Sequence, residues 1–169
     1  MRALALLLLA GCSGATLSAP LDSVYCAPAD DRVFYPPSGF APEDDADIRL
    51  AAEVWKPYLT RPFLFSENGW QRILSWYPQP LPSGRFVGQW LPHYGVMVIL
   101  PGEEDVYGIA LHEFGHVLGL EHVQAQGAVM CGEDKAPSDD VRPGWCGTVR
   151  PTKPTDDDIN EGRRVGAFR

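Results

Sequence analysis

Apolar residues change their spacing along this chain, and each change marks an element. Ile48, Ala51, Ala52, Trp55 and Leu59 recur every three or four positions, which lays one stripe along a helix. Pro42 suits the first turn of that helix, and Glu43, Asp44, Asp45 and Asp47 suit the positive end of its dipole. A helix is therefore predicted over residues 43–56, ending at Pro57 or soon after it. Short apolar runs surround it: Arg32 to Tyr35, Phe63 to Phe65, Ile73 to Tyr77, Phe86 to Leu91 and Val96 to Leu100. Pro and Gly punctuate these runs, so they read as strands. Val96 to Leu100 is apolar without alternation, as expected of a strand covered on both faces. Glu103, Glu104 and Asp105 open a second helix. A long irregular stretch, 123–154, follows it. Thr155 and Asp158 then form a capping-box pattern, with Asp in place of the usual Glu, for a short last helix. No internal repeat is visible.

Composition narrows the class. The chain has 169 residues, 45% hydrophobic and 21% charged, which is one globular domain's worth. A net charge of −8 argues against nucleic acid as a partner, because that would need a basic face. The 17 glycines and 16 prolines call for a fold rich in loops.

Residues 1–12 read MRALALLLLAGC. Arg2 precedes an apolar core too short to span a bilayer, which needs roughly 20 residues. The ending Leu9-Ala10-Gly11-Cys12 resembles the lipobox of bacterial lipoproteins. The resemblance implies cleavage before Cys12, lipid on Cys12, and, with Ser13 next, an outer-membrane anchor. The alternative is an ordinary secretory signal cut near Ala19; either way the mature chain is exported. Residues 1–11 are then the signal and 12–31 a small, polar tether, leaving 32–169 as the working domain. Beyond Cys12 lie Cys26, Cys131 and Cys146. A disulfide between Cys131 and Cys146 would close a short loop and stabilise by roughly 3 kcal/mol. Three is an odd count, and the sequence does not fix the pairing.

The candidate chemistry lies in residues 112–122, HEFGHVLGLEH, which hold three of the four histidines. On a helix His112 and His116 stand one turn apart on the same face and can reach one ion. Gly119 can take the left-handed conformation that ends a helix and reverses the chain, returning His122 as a third ligand. Three imidazoles and an open position are the ligand set of catalytic zinc. Glu113, beside the first ligand, is the candidate general base. Gly115 reads as a packing position.

This eleven-residue pattern resembles the metzincin metallopeptidases. Ala128-Val129-Met130 is similar to the Met-turn of their matrixin branch, which implies that Met130 floors the metal site. Thr155 to Ile159 resembles the start of the matrixin C-terminal helix, and Ala51 to Trp55 the first helix. The resemblance implies an α+β fold: a small, mixed, twisted sheet with an active-site helix and a C-terminal helix. It implies a monomeric zinc endopeptidase acting on peptide or protein substrates. The substrate would add as a strand beside the metal, along Phe86 to Leu91 or, in competition, Val96 to Leu100. Trp145 and the Cys131–Cys146 stretch would wall the pocket past the scissile bond. Calcium is a second candidate ion, at Glu103, Glu104 and Asp105, against a plain solvated helix start.

Departures from the family are equally legible. Only His93 remains for the matrixin structural zinc, so that site is expected to be missing. No tyrosine follows Met130, which excludes a fifth-ligand tyrosine. Cys26-Ala27-Pro28 faintly echoes the cysteine switch of latent matrixins. The competing function is a catalytically idle zinc-fold lipoprotein that binds a protein partner; Glu113 speaks against it.

Overall fold

The computed structural model describes residues 32–76, 88–100, 105–132 and 151–168. The signal, Cys12, the tether, Cys26, Glu103, Glu104, Trp145 and Cys146 lie outside these residues. Among these residues, five short strands and three α-helices occur in the order β1 (Val33–Phe34), α1 (Pro42–Trp55), β2 (Leu64–Phe65), β3 (Arg72–Leu74), β4 (Gly88–Leu91), β5 (Val96–Ile99), α2 (Val106–Val117) and α3 (Asp156–Arg164). The fold is α+β, as expected.

The strands form two small sheets that isolated bridges join. β1 pairs with β2 in parallel, and β3 pairs with β5 in parallel. β4 pairs with β5 antiparallel, Trp90 opposite Met97. Phe34 bridges to Gln71 and Ser38 to Leu74, which sets β1 beside β3. The spatial order is therefore β2-β1-β3-β5-β4. β5 is interior, and its residues Met97, Val98 and Ile99 are all buried. That rules out Val96 to Leu100 as an edge. Among the described residues β4 has β5 as its only strand neighbour, so β4 is the edge.

α1 begins with Pro42 at its first turn, followed by Glu43, Asp44 and Asp45, and buries Ile48, Ala51, Ala52 and Trp55. It ends at Trp55, and Pro57 falls in the single 3₁₀ turn Lys56–Tyr58, where the chain tightens before leaving the helix. The Trp55 indole N–H donates to Leu111 O at 3.0 Å, which satisfies a buried donor and fastens α1 to α2. On the sheet side, Phe114 of α2 sits edge-on to Phe34, with centroids 5.5 Å apart at 84°. Phe63 closes on the same ring at 4.7 Å. α2 is thus clamped between α1 and the sheet, and the core runs through it.

Candidate metal centre

α2 differs from an ordinary surface helix because nearly its whole circumference is buried. Any polar side chain on it must find a partner inside the protein. His112 and Glu113 are both buried, at 4% and 5% exposure. Asp105 caps the helix by accepting from Gly108 N at 2.6 Å.

The helix stops where the sequence predicts. Gly119 has φ +81°, a conformation that a side chain would strain. Gly119 N donates to His116 O at 2.9 Å and Leu120 N to Gly115 O at 3.0 Å, the paired bonds of a Schellman ending. The reversal brings back His122. Its Nε2 lies 3.2 Å from His112 Nε2 and 3.1 Å from His116 Nε2.

The Nδ1 atoms of His112 and His116 are committed elsewhere. His112 Nδ1 is 2.7 Å from Val129 O, and His116 Nδ1 is 2.9 Å from Leu120 O. A carbonyl only accepts, so each Nδ1 carries the proton and each Nε2 presents a lone pair. Burial pushes the His112 pKa down to about 3, with help from His116, and pushes His116 down to about 4. Both rings are therefore neutral near pH 7, the form that binds metal. Lone pairs this close repel one another unless a cation lies between them. Tetrahedral zinc with bonds of roughly 2.0–2.1 Å would hold its nitrogens about 3.3 Å apart. The donor set fits zinc. Among the described residues this triad is the only group of three or more His, Cys, Asp or Glu that converges in this way.

Glu113 reaches the opposite wall. Its Oε2 accepts from Trp90 N of edge strand β4 at 2.7 Å. Burial pushes its pKa up to about 8, and the Trp90 bond works against that rise. Met130 is fully buried, and a Cβ on Gly115 of α2 would collide with its Sδ. Gly115 is thus a packing position, and what it packs is Met130.

The Met130 segment has a support with no functional signal in the sequence. Asp158 is 0% exposed. It accepts from Val129 N at 2.9 Å and Met130 N at 2.8 Å. It also accepts from Thr155 N and Thr155 Oγ1, both at 2.8 Å. Because Val129 O holds His112 Nδ1, Asp158 acts on the first ligand through one peptide unit. The capping-box pattern finds Asp158 but says nothing of its reach. Nor does any pattern mark Trp90, whose contribution is a backbone N–H. Gly132 closes the far side, since a Cβ there would lie 2.9 Å from the His122 ring. Cys131 is disulfide-bonded; the pairing expected with Cys146 lies outside the described residues. His93 stands exposed in the β4–β5 turn, and Asp105 is occupied as a cap.

A buried helix that presents two imidazoles, a reversal that returns a third, and a mixed sheet with its edge alongside define a zinc metallopeptidase-type domain. The sequence pattern of the matrixin family matches residues 35–141, and the chain belongs to the matrixin family. No curated protein matches it.

Proposed function

We propose that the protein is a zinc endopeptidase that cleaves peptide bonds with water, Glu113 serving as general base. The convergence of three Nε2 lone pairs, two of them oriented by carbonyls behind them, carries this reading. His112, His116 and His122 would hold the ion. When bound, zinc supplies a Lewis acid that acidifies water and polarises a carbonyl. Glu113 takes the proton of the attacking water and passes it to the leaving nitrogen as the C–N bond breaks. A carboxylate with one protein donor keeps capacity to take that proton. Edge strand β4 offers backbone groups on which an extended substrate adds as a further strand. Met130 gives the site an apolar floor that excludes water.

The test uses protein beginning at residue 13, zinc analysis and a mixed peptide library. One zinc per chain and cleavage abolished by Glu113→Ala support the reading. One zinc per chain without Glu113-dependent cleavage returns the chain to the partner-binding alternative. We also propose that the mature chain is anchored through lipid on Cys12; fatty-acid labelling that survives Cys12→Ala refutes the anchor.

A further inference from the structure

We propose that Gly88 is a positioning residue for Glu113, because its missing side chain sets the separation between edge strand β4 and helix α2. The proposal rests on the role given to Glu113 above. Gly88 opens β4, two residues before Trp90, so both positions present the same face of the strand. A Cβ on Gly88 would collide with the Cγ2 methyl of Ile109, one turn before Glu113 on α2. It would also lie 3.1 Å from Glu113 Oε1 and 3.2 Å from Glu113 Cγ. Meanwhile Trp90 N holds Oε2 at 2.7 Å. The edge strand therefore bounds both oxygens of one carboxylate, Oε2 by a hydrogen bond and Oε1 by close backbone approach.

Both contacts depend on the spacing. Ile109 is branched at Cβ and buried, so its methyl has little room to turn aside. A methyl group on Gly88 must push β4 away from α2, which lengthens the bond from Trp90 N to Glu113. The general base then loses the donor that aims it. The strand that would receive the substrate is the same strand that holds the base, so one displacement reaches both. Glycine at 88 is selected by approach, not by backbone angle, since its φ lies outside the left-handed region.

The experiment compares zinc-loaded wild type with Gly88→Ala and with Gly88→Ala combined with Ile109→Ala, which removes the colliding methyl. Two readouts are followed: the amide resonance and hydrogen exchange of Trp90 in isotope-labelled protein, and kcat and KM on one peptide. Gly88→Ala is expected to keep one zinc per chain, to speed Trp90 exchange, and to lower kcat at least about tenfold with KM changed less than about threefold. Adding Ile109→Ala is expected to restore the Trp90 signal and most of kcat. If Gly88→Ala does not fold, the double variant carries the test: a Trp90 amide as protected as in wild type supports the proposal, and an unprotected one refutes it. An unchanged Trp90 amide in folded Gly88→Ala overturns the proposal, as does a double variant that folds without regaining the signal. If wild type loads zinc but cleaves nothing, the peptidase reading fails, and the Trp90 amide still decides what Gly88 does.

Discussion

The proposed floor of the metal centre and its side wall each contain a buried carboxylate, and the two are treated in opposite ways. In the floor, Asp158 accepts four hydrogen bonds, two from the Met130 segment and two from Thr155. In the wall, Glu113 accepts one, from Trp90 N. A carboxylate whose oxygens are taken up by backbone and hydroxyl donors ties those segments together as a strut. A carboxylate buried with one donor pays for desolvation without full compensation and holds its proton more tightly. Two residues of almost identical chemistry are thus placed differently, one as an anchor and the other, in the proposed mechanism, as the proton carrier, and the number of donors makes the difference.

Substitutions that leave shape nearly intact should separate the two roles. The largest effect is expected from Glu113→Gln, which should lower kcat/KM by roughly 10²- to 10⁴-fold while zinc stays bound; retained peptide cleavage would break the contrast. Asp158→Ala should act on stability instead. It strands Val129 N and Met130 N, and a loss of about 3 kcal/mol is expected in urea unfolding, with weaker zinc affinity because Val129 O no longer aims His112. Gly115→Ala should cost about 1–3 kcal/mol, because Met130 must leave its place. If that variant unfolds at the wild-type urea midpoint, Met130 is not a rigid floor.

The metal-free protein offers a pH test whose sign follows from the two kinds of group. His112 and His116 have folded values of about 3 and 4 against 6.5 in the unfolded chain. Their contribution is complete above pH 6.5 and is lost as pH falls towards 4 and below. Glu113, raised from 4.5 to about 8, does the reverse: its contribution is complete below pH 4.5 and is lost as pH rises through 8. Glu113→Gln should therefore raise the melting temperature of metal-free protein more at pH 8 than at pH 5. A shift equal at both would mean that Glu113 is not desolvated. The smallest effect should come from Arg164→Ala, whose contacts with Glu161 and Glu121 are exposed; the melting temperature should not move measurably.

How much of this was legible depends on how far apart the partners lie. The ligand triad was visible because helical pitch and one glycine bring together residues within eleven positions of each other. α1 was visible from its apolar stripe, and α3 from Thr155 and Asp158. The strands were located but drawn too long, since β3 stops at Leu74 and β5 at Ile99. An apolar run marks burial and does not show where the ladder ends. Of the two candidate edges the sequence put Phe86 to Leu91 first and left Val96 to Leu100 in competition; the pairing of β5 on both sides removes the competitor. Asp158 was legible only as a helix cap, because nothing local reveals that its carboxylate spans 28 and 29 positions to the Met130 segment. Trp90 and Gly88 were silent for a further reason, since one acts through its backbone and the other through an atom it lacks.

The Schellman reversal at Gly119 also bears on the order of events in folding. It completes the triad by closing a loop of a few residues, which costs little chain entropy. The Glu113–Trp90 bond spans 23 positions and needs the sheet. The Asp158 bonds need the last helix. A chain that has formed only α2 and its turn already brings the three imidazoles near one another, whereas the carbonyl that orients His112, the Glu113–Trp90 bond and the Asp158 brace wait for more distant segments. On gradual unfolding, hydrolysis should disappear while zinc is still held, so that a metal-loaded but inactive species precedes the unfolded one.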